Sequence, residues 1–110
     1  MNIGIEAGTD DSGRAVLRVS GAVDIQSREA LLTAGRAALA KKTPALVVEL
    51  SEVTFLDSTG IGALVELGRD AEDAEAGFVV SDPSPRVMRI LEMTGLDTAW
   101  PIEVDGTQLT

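Results

Sequence analysis

The stretch that decides the fold runs from residue 45 to residue 62 and reads ALVVELSEVTFLDSTGIG. Residues 45–50 form a nearly unbroken apolar run, which is typical of a β-strand buried on both faces by helices. Acidic, hydroxyl-bearing and glycine residues follow at 57–62, where the chain is expected to turn into a helix. The segment therefore predicts a central strand of an α/β sheet with a polar turn at its carboxyl end.

The residues before this strand predict a hairpin and one helix. Two β-prone runs, 2–7 and 14–19, are separated by turn-forming residues, which indicates a β-hairpin. From Ser27 to about Lys41, apolar residues recur at helical spacing. Ser27 or Asp24 is expected to accept the free amides at the start of this helix.

The residues after the polar turn predict two more helices and two more strands. A second helix is expected from Thr59 to about Glu72 and a short strand at 78–81. Serine followed by proline suits a helix start, so a third helix is expected from Ser84 to about Thr94. Residues 99–104 predict a last edge strand, because a proline within it disfavours a central position. The tail, 105–110, is expected to be frayed.

This order of elements predicts the fold class α/β. We expect a mixed, mostly parallel sheet of about five strands with an antiparallel N-terminal edge hairpin, packed with three to four helices through right-handed crossovers. The chain has 110 residues, which predicts a single domain, 1–110, with one core. In such sheets, ligands and partners meet the loops that follow the carboxyl ends of the strands. The polar turn is one of those loops.

The composition removes most catalytic chemistry. The chain contains no cysteine and no histidine, which excludes Ser-His-Asp and Cys-His catalysis and the common zinc sites. Carboxylates, hydroxyls, nine basic residues and backbone amides are left. We therefore expect a protein that is not an enzyme and that uses no cofactor and no metal.

The charge balance limits the partners. Eighteen acidic against nine basic residues give a formal net charge of −9, which argues against binding to nucleic acid or to a membrane surface. The acidity favours a positively charged partner surface, or it serves solubility alone. No window approaches the roughly 20 apolar residues of a spanning helix, and residues 1–6 lack the pattern of a signal peptide. These features predict a cytoplasmic protein.

Three interpretations of the polar turn stay open. Phe55 and Leu56 are expected to anchor it, and it precedes a helix whose first amides lack intrahelical partners. In the first interpretation, Asp57 or Ser58 is only a helix cap, and Thr59 is a second cap. A phosphate-cradling loop is disfavoured, because GxxxxGK[ST] is missing and the turn contains no lysine. Alternatively Ser58 receives a phosphate, since the helix dipole and the free amides tolerate the added charge.

Three blocks of the sequence resemble the STAS domain of bacterial anti-sigma factor antagonists, whose hallmark is a DS[ST]G turn after a buried strand. That block is LVVELSEVTFLDSTGIGALVEL, at 46–67. The stretch LRVSGAVDIQS, at 17–27, resembles the second strand of the family with its Gly-x-x-Asp turn. DPSPRVMRILEMTGLD, at 82–97, resembles the third-helix block. The first strand and the FVVS strand match the family only loosely.

The resemblance implies a switch. The protein would bind an anti-sigma factor that is also an ATP-dependent serine kinase, and so free the sigma factor. The kinase would phosphorylate Ser58 to end the interaction, and a serine phosphatase would reverse the modification. Gly60 and Gly62 would shape the turn, and Asp24 would lie on a neighbouring loop. The partner-binding positions implied are Asp24, Asp57, Ser58, Thr59, Gly60 and Gly62.

Two other functions stay open. The first is a constitutive STAS docking subunit of a signalling or lipid-transport complex, in which the turn is never phosphorylated. The second is a small-molecule or nucleotide sensor that uses the amides of the second helix as an anion pocket.

The chain has few aromatic residues, with Trp100 its only tryptophan, which argues against a large permanent interface and predicts a monomer or a weak dimer.

Overall fold

Nine secondary-structure elements follow one another along residues 3–104, the part of the chain that the computed structural model describes. The strands are β1 (Ile3–Thr9), β2 (Ala15–Val23), β3 (Ala45–Leu56), β4 (Gly77–Ser81) and β5 (Ile102–Glu103). The helices are α1 (Arg28–Leu39), α2 (Ser58–Asp73), α3 (Pro85–Thr94) and α4 (Leu96–Ala99). The expectation of a frayed tail at 105–110 lies outside the described residues, as does the start of the first predicted strand. Within 3–104, no helix combines the length and the apolar character needed to cross a membrane.

The five strands form one mixed sheet in the order β1-β2-β3-β4-β5. β1 and β2 pair antiparallel as the N-terminal hairpin, and each of the following neighbours pairs parallel. The predicted fold class is therefore confirmed. The strand that follows Pro101 is only two residues long and lies at the sheet edge, as the proline predicted.

β3 is twice as long as predicted. It spans 12 residues instead of the expected run at 45–50. β4 pairs only with its first part, 45–49, and beyond that point β3 continues beside β2 until Leu56 lies opposite Val23. The extension was missed because residues 51–55 do not alternate regularly between apolar and polar. β2 and β3 therefore project beyond the rest of the sheet, and the polar turn follows at their tip.

The hydrophobic core lies on one face of the sheet. Its buried side chains come from β2, β3 and β4 and from α1, α2 and α3. Leu46, Val48 and Leu50 of β3 all belong to it, and alternate residues of a strand point to the same face. Burial of each such leucine contributes about 1.5–3 kcal/mol to the free energy of folding. This packing fixes α2 against the sheet, and so it also fixes the position of the polar turn at the start of α2.

An ion pair crosses the opposite face. Val80 belongs to the core, and its register partner in β5 is Ile102. Glu103 is the next residue, so its side chain projects from the other face of the sheet. Arg14, which directly precedes β2, donates from Nη1 to Glu103 Oε2 at 2.9 Å and from Nε to Asp10 Oδ2 at 2.7 Å. Because β3 and β4 lie between β2 and β5, this pair spans the sheet. The hydrogen bonds from Arg14 lower the pKa of both carboxyl groups below their ordinary values.

Candidate functional site

Two loops meet at the tip of the projecting strands. Val23 is the register partner of Leu56, and the amide of Asp57 donates to the carbonyl oxygen of Val23 at 3.4 Å. The strand pairing thus extends to the first residue of the polar turn. Asp24 follows Val23 directly, so the structure brings Asp24 and the turn together, although Asp57 follows Asp24 by 33 positions in the sequence.

Asp57 is the residue that caps α2. Its backbone is extended, with φ −105° and ψ −173°, and its carboxylate Oδ1 accepts from the amide of Gly60 at 2.9 Å. Its carbonyl oxygen accepts the next helical amide, that of Ile61, at 2.9 Å. A cap of this kind stabilises a protein by about 1 kcal/mol. Of the two caps that the sequence left open, Asp57 fills the role and Ser58 does not.

Ser58 is the first residue of α2, and its side chain is exposed. Within residues 3–104 its hydroxyl forms no hydrogen bond. The amides of the first helical turn lack intrahelical acceptors, and the positive end of the helix dipole lies there. The hydroxyl of Ser58 therefore does not stabilise the fold, and it lies at a position that accommodates negative charge. Thr59 is half-buried, and within residues 3–104 its hydroxyl forms no hydrogen bond, so it is not a second cap.

Gly60 is required by a close approach between α2 and β2. It is buried, and a Cβ on it would overlap the carbonyl oxygen of Val23 and lie 2.8 Å from Leu56 Cδ1. Gly62, in contrast, does not shape the turn, because a Cβ at this exposed helical position would meet nothing within 4 Å. It follows Ser58 by four residues and so lies on the same helix face. Its missing side chain leaves bare surface next to the hydroxyl.

Ser27 holds the neighbouring loop, a role that the sequence did not predict. Its Oγ donates to the carbonyl of Ala22 at 2.9 Å and accepts from the amide of Asp24 at 2.8 Å. The side chain is buried, with 6% exposed. The carboxylate of Asp24 accepts the amides of Gln26 and Ser27, which precede α1, so neither predicted cap serves the first helical amides. Together these bonds fix Asp24 at the end of β2.

Phe55 is exposed, contrary to the prediction that it anchors the turn. Its exposed fraction is 46%, whereas Leu56 is buried as predicted. The cause is a register shift: Gly21 pairs with Val53 but Ala22 pairs with Phe55, so Thr54 is an extra residue on β3. Such an extra residue reverses the alternation of side chains, and the glycine within β2 was the available signal for it.

The tip is acidic. Asp24, Glu52 and Asp57 lie in the two segments that form it, 22–27 and 51–62, and neither segment contains lysine or arginine. Arg28 follows directly, but its guanidinium is bound to the carboxylate of Glu66 in α2 at 2.7 Å. The two segments therefore carry three carboxylates and no cationic side chain, next to the positive end of the α2 dipole.

Three hollows of the surface lie away from the tip. One of about 560 Å³ is lined by the β1–β2 hairpin, one of about 310 Å³ by the hairpin and α1, and one of about 670 Å³ by α2, β4 and the segment 96–101. None of their lining residues belongs to the tip. Over residues 3–104 there is also no cluster of acidic residues arranged to hold a metal ion. The sensor alternative thus gains no support from these hollows.

The chain is similar to known proteins in both sequence and structure. A family model described as "Mlab, STAS domain" matches residues 7–105. The Anti-sigma-B factor antagonist of Listeria monocytogenes is 30% identical over 96 residues, which cover 87% of this chain and 84% of that protein. The crystal structure of an anti-sigma factor antagonist from Mycobacterium paratuberculosis has a TM-score of 0.83 at 35% identity and covers 93% of this chain and 86% of that one. The antagonist SpoIIAA in its unphosphorylated form shares the fold, with a TM-score of 0.77 at 19% identity and coverage of 96% and 91%.

Proposed function

Because this chain belongs to the STAS domain family, we propose that it is an anti-sigma factor antagonist, which binds an anti-sigma factor and thereby releases a sigma factor. The names of the relative from Listeria and of the mycobacterial structure support this proposal, at 30% and 35% identity. The anti-sigma factor is a serine kinase that phosphorylates Ser58 and so ends the interaction. A serine phosphatase restores the binding form.

The proposed switch rests on one observation: the residue that caps α2, Asp57, is not the residue with the exposed hydroxyl, Ser58. Asp57 satisfies the amide of Gly60, so Ser58 contributes nothing to the helix start. A phosphate on Ser58 adds about 1.5 to 2 negative charges next to free amides and the positive end of the dipole. The modification therefore leaves the fold intact and changes only the surface that a partner meets.

The magnitude of the change requires a charge. Reversal of a 99:1 bound population needs about 5.5 kcal/mol of differential affinity. Loss of one neutral hydrogen bond from Ser58 supplies only about 1 kcal/mol. A dianion that must be desolvated next to Asp57 supplies the larger amount, because buried charge without a partner is costly. Release is thus driven by the charge of the phosphate together with its bulk.

The test is an intact-mass measurement after incubation with ATP and each purified anti-sigma factor kinase of the source organism. We expect one added phosphate on the wild-type protein and none on Ser58→Ala. Thr59→Ala is the matched control, because it removes the adjacent hydroxyl, and it retains the modification. Phosphate incorporation that persists in Ser58→Ala contradicts the assignment of the phosphoacceptor.

A second candidate function is a docking subunit of a signalling or lipid-transport complex that is never phosphorylated. The exposed turn and the bare surface at Gly62 favour docking whether or not the hydroxyl is modified. The same mass measurement separates the two functions, since a constitutive subunit gains no phosphate from any of the kinases. In both cases we propose that the protein is cytoplasmic. We also propose that it is a monomer or a weak dimer, because a net charge of −9 disfavours self-association.

A further inference from the structure

Two exposed apolar side chains, Ile25 and Phe55, lie at the same tip as Ser58. We infer that they are the anchors of a docking surface for an apolar patch on the anti-sigma factor, and that the cations of this partner lie at the rim of its patch, opposite Asp24 and Glu52. The inference rests on the proposed function and names the surface chemistry that the partner presents.

Exposure singles out these two residues. Among residues 3–104, four large apolar residues are exposed: Ile25 at 72%, Phe55 at 46%, Met93 at 74% and Val104 at 41%. Two of the four are at the tip. Phe55 owes its exposure to the extra residue in β3, and Ile25 occupies a turn that Ser27 holds in place. Exposed apolar groups mark an interaction site where several of them lie within one patch, and the tip holds two of the four.

The anchors and the hydroxyl fit within one interface. Phe55 and Ala22 are register partners, and neighbouring strands lie about 4.8 Å apart. Ile25 follows Ala22 by three residues, which places its Cα within about 16 Å of that of Phe55. Ser58 follows Phe55 by three residues and lies within about 11 Å of it. A standard interface covers about 800 Å² on each partner, a disc about 32 Å across.

An apolar contact at Ser58 accounts for the direction of the switch. On an acidic tip that is matched by cations alone, a phosphate would strengthen binding, because it adds negative charge opposite positive charge. The proposed switch has the opposite sign. A dianion weakens an interface when it must be buried among apolar groups without a partner. Ile25 and Phe55 supply those groups, so the cations belong at the rim.

A second copy of this chain does not fit the same surface. Two tips brought together would oppose Asp24, Glu52 and Asp57 of one copy to the same carboxylates of the other, and segments 22–27 and 51–62 contain no basic residue to compensate. The acidity therefore selects a different protein with basic residues.

The test is calorimetric titration of the same purified kinases with variants of the unmodified protein. We expect Ile25→Ser and Phe55→Ser each to raise the dissociation constant at least tenfold. Met93→Ser is the matched control, because Met93 is exposed to the same degree as Ile25 but belongs to α3, and we expect a change below twofold. Thermal melting accompanies each variant, and Ile25→Ser alone decides the result if Phe55→Ser lowers the melting temperature.

Ser58→Asp in the same titration separates a failure of the proposed function from a failure of the proposed apolar surface. Weak binding by Ser58→Asp together with unchanged binding by Ile25→Ser overturns the apolar surface and leaves the proposed function intact. Equal losses for Ile25→Ser and Met93→Ser also overturn it, because the effect would not be specific to the tip. Absence of binding between the wild-type protein and every kinase overturns both.

Discussion

The Cα atom of Gly60 lies against the carbonyl oxygen of Val23, so that a Cβ on residue 60 would overlap this oxygen. Val23 ends β2 and Gly60 lies in the first turn of α2, so the contact joins these two elements. The contact explains how the turn and the Asp24 loop are held at a fixed separation.

Gly60→Ala is therefore expected to destabilise the protein by about 1–3 kcal/mol, as overpacking against backbone does. Urea unfolding followed by circular dichroism measures the effect. Gly62→Ala is the matched control two residues away: a Cβ there meets nothing within 4 Å, and alanine stabilises a helix by about 0.5–1 kcal/mol over glycine. Equal effects of the two substitutions would contradict the close approach at Gly60.

Asp57→Ala removes the cap of α2 and is expected to lower the free energy of unfolding by about 1 kcal/mol. Asp57→Asn keeps an oxygen acceptor for the amide of Gly60, so its loss is smaller. Ser58→Ala, one residue later, is expected to change stability by less than about 0.5 kcal/mol, because the hydroxyl is exposed and caps nothing. A larger loss for Ser58→Ala than for Asp57→Ala, in the same urea titrations, contradicts the division of roles between them.

Ser27→Ala leaves the carbonyl of Ala22 and the amide of Asp24 without the partner that the hydroxyl provides. Unsatisfied buried groups cost about 1–3 kcal/mol each, so we expect a loss of stability of at least about 1 kcal/mol. Weaker binding to the kinase follows, since Asp24 and Ile25 lose their fixed positions. Ser12→Ala is the control: Ser12 is exposed in the turn between β1 and β2, away from the tip, and both stability and binding stay as in the wild type.

The ion pair across the sheet predicts a dependence of stability on pH. Hydrogen bonds from Arg14 lower the pKa of Glu103 from its ordinary 4.5 and that of Asp10 from 3.8. A carboxyl group whose pKa is lower in the folded state stabilises the fold above its unfolded pKa, and this contribution disappears as the pH falls through the folded pKa. We therefore expect stability to fall as the pH drops below about 4.5, the ordinary pKa of Glu103.

Arg14→Met is expected to reduce that fall, because both carboxyl groups then titrate nearer their ordinary values. The measurement is the urea midpoint between pH 7 and pH 2.5. Arg18→Met serves as the control, since Arg18 meets Glu6 only at 3.8 Å and both side chains are largely exposed. An identical pH dependence for the wild type and Arg14→Met contradicts a contribution from the cross-sheet pair.

The sequence predicted the sheet and the turn because their signals are local. The apolar run at 45–50 indicated a buried strand, and the cluster of hydroxyl and acidic groups marked the start of α2. The extension of β3 was not predicted, because β3 has extra residues at two register shifts, one between Glu49 and Glu52 and one at Thr54, and both depend on pairing with β2. The exposure of Phe55 follows from the same pairing, and its one signal in the sequence, Gly21, lies in the partner strand.

The choice between Asp57 and Ser58 as the cap also lay beyond the sequence. Both side chains suit a cap, and the decision depends on which residue keeps an extended backbone where β3 ends. That position is fixed by the pairing of Leu56 with Val23, a contact between residues far apart in the chain. The role of Ser27 was missed for a related reason, because its hydroxyl turns back to the end of β2 instead of serving α1.

The most direct test of the switch compares the protein in two forms, unmodified and fully phosphorylated at Ser58, in calorimetric titrations against one anti-sigma factor kinase. We expect the unmodified form to bind, and the phosphorylated form to bind up to about 10⁴-fold more weakly, the change that a complete reversal of populations requires. Equal dissociation constants for the two forms would contradict a switch at Ser58.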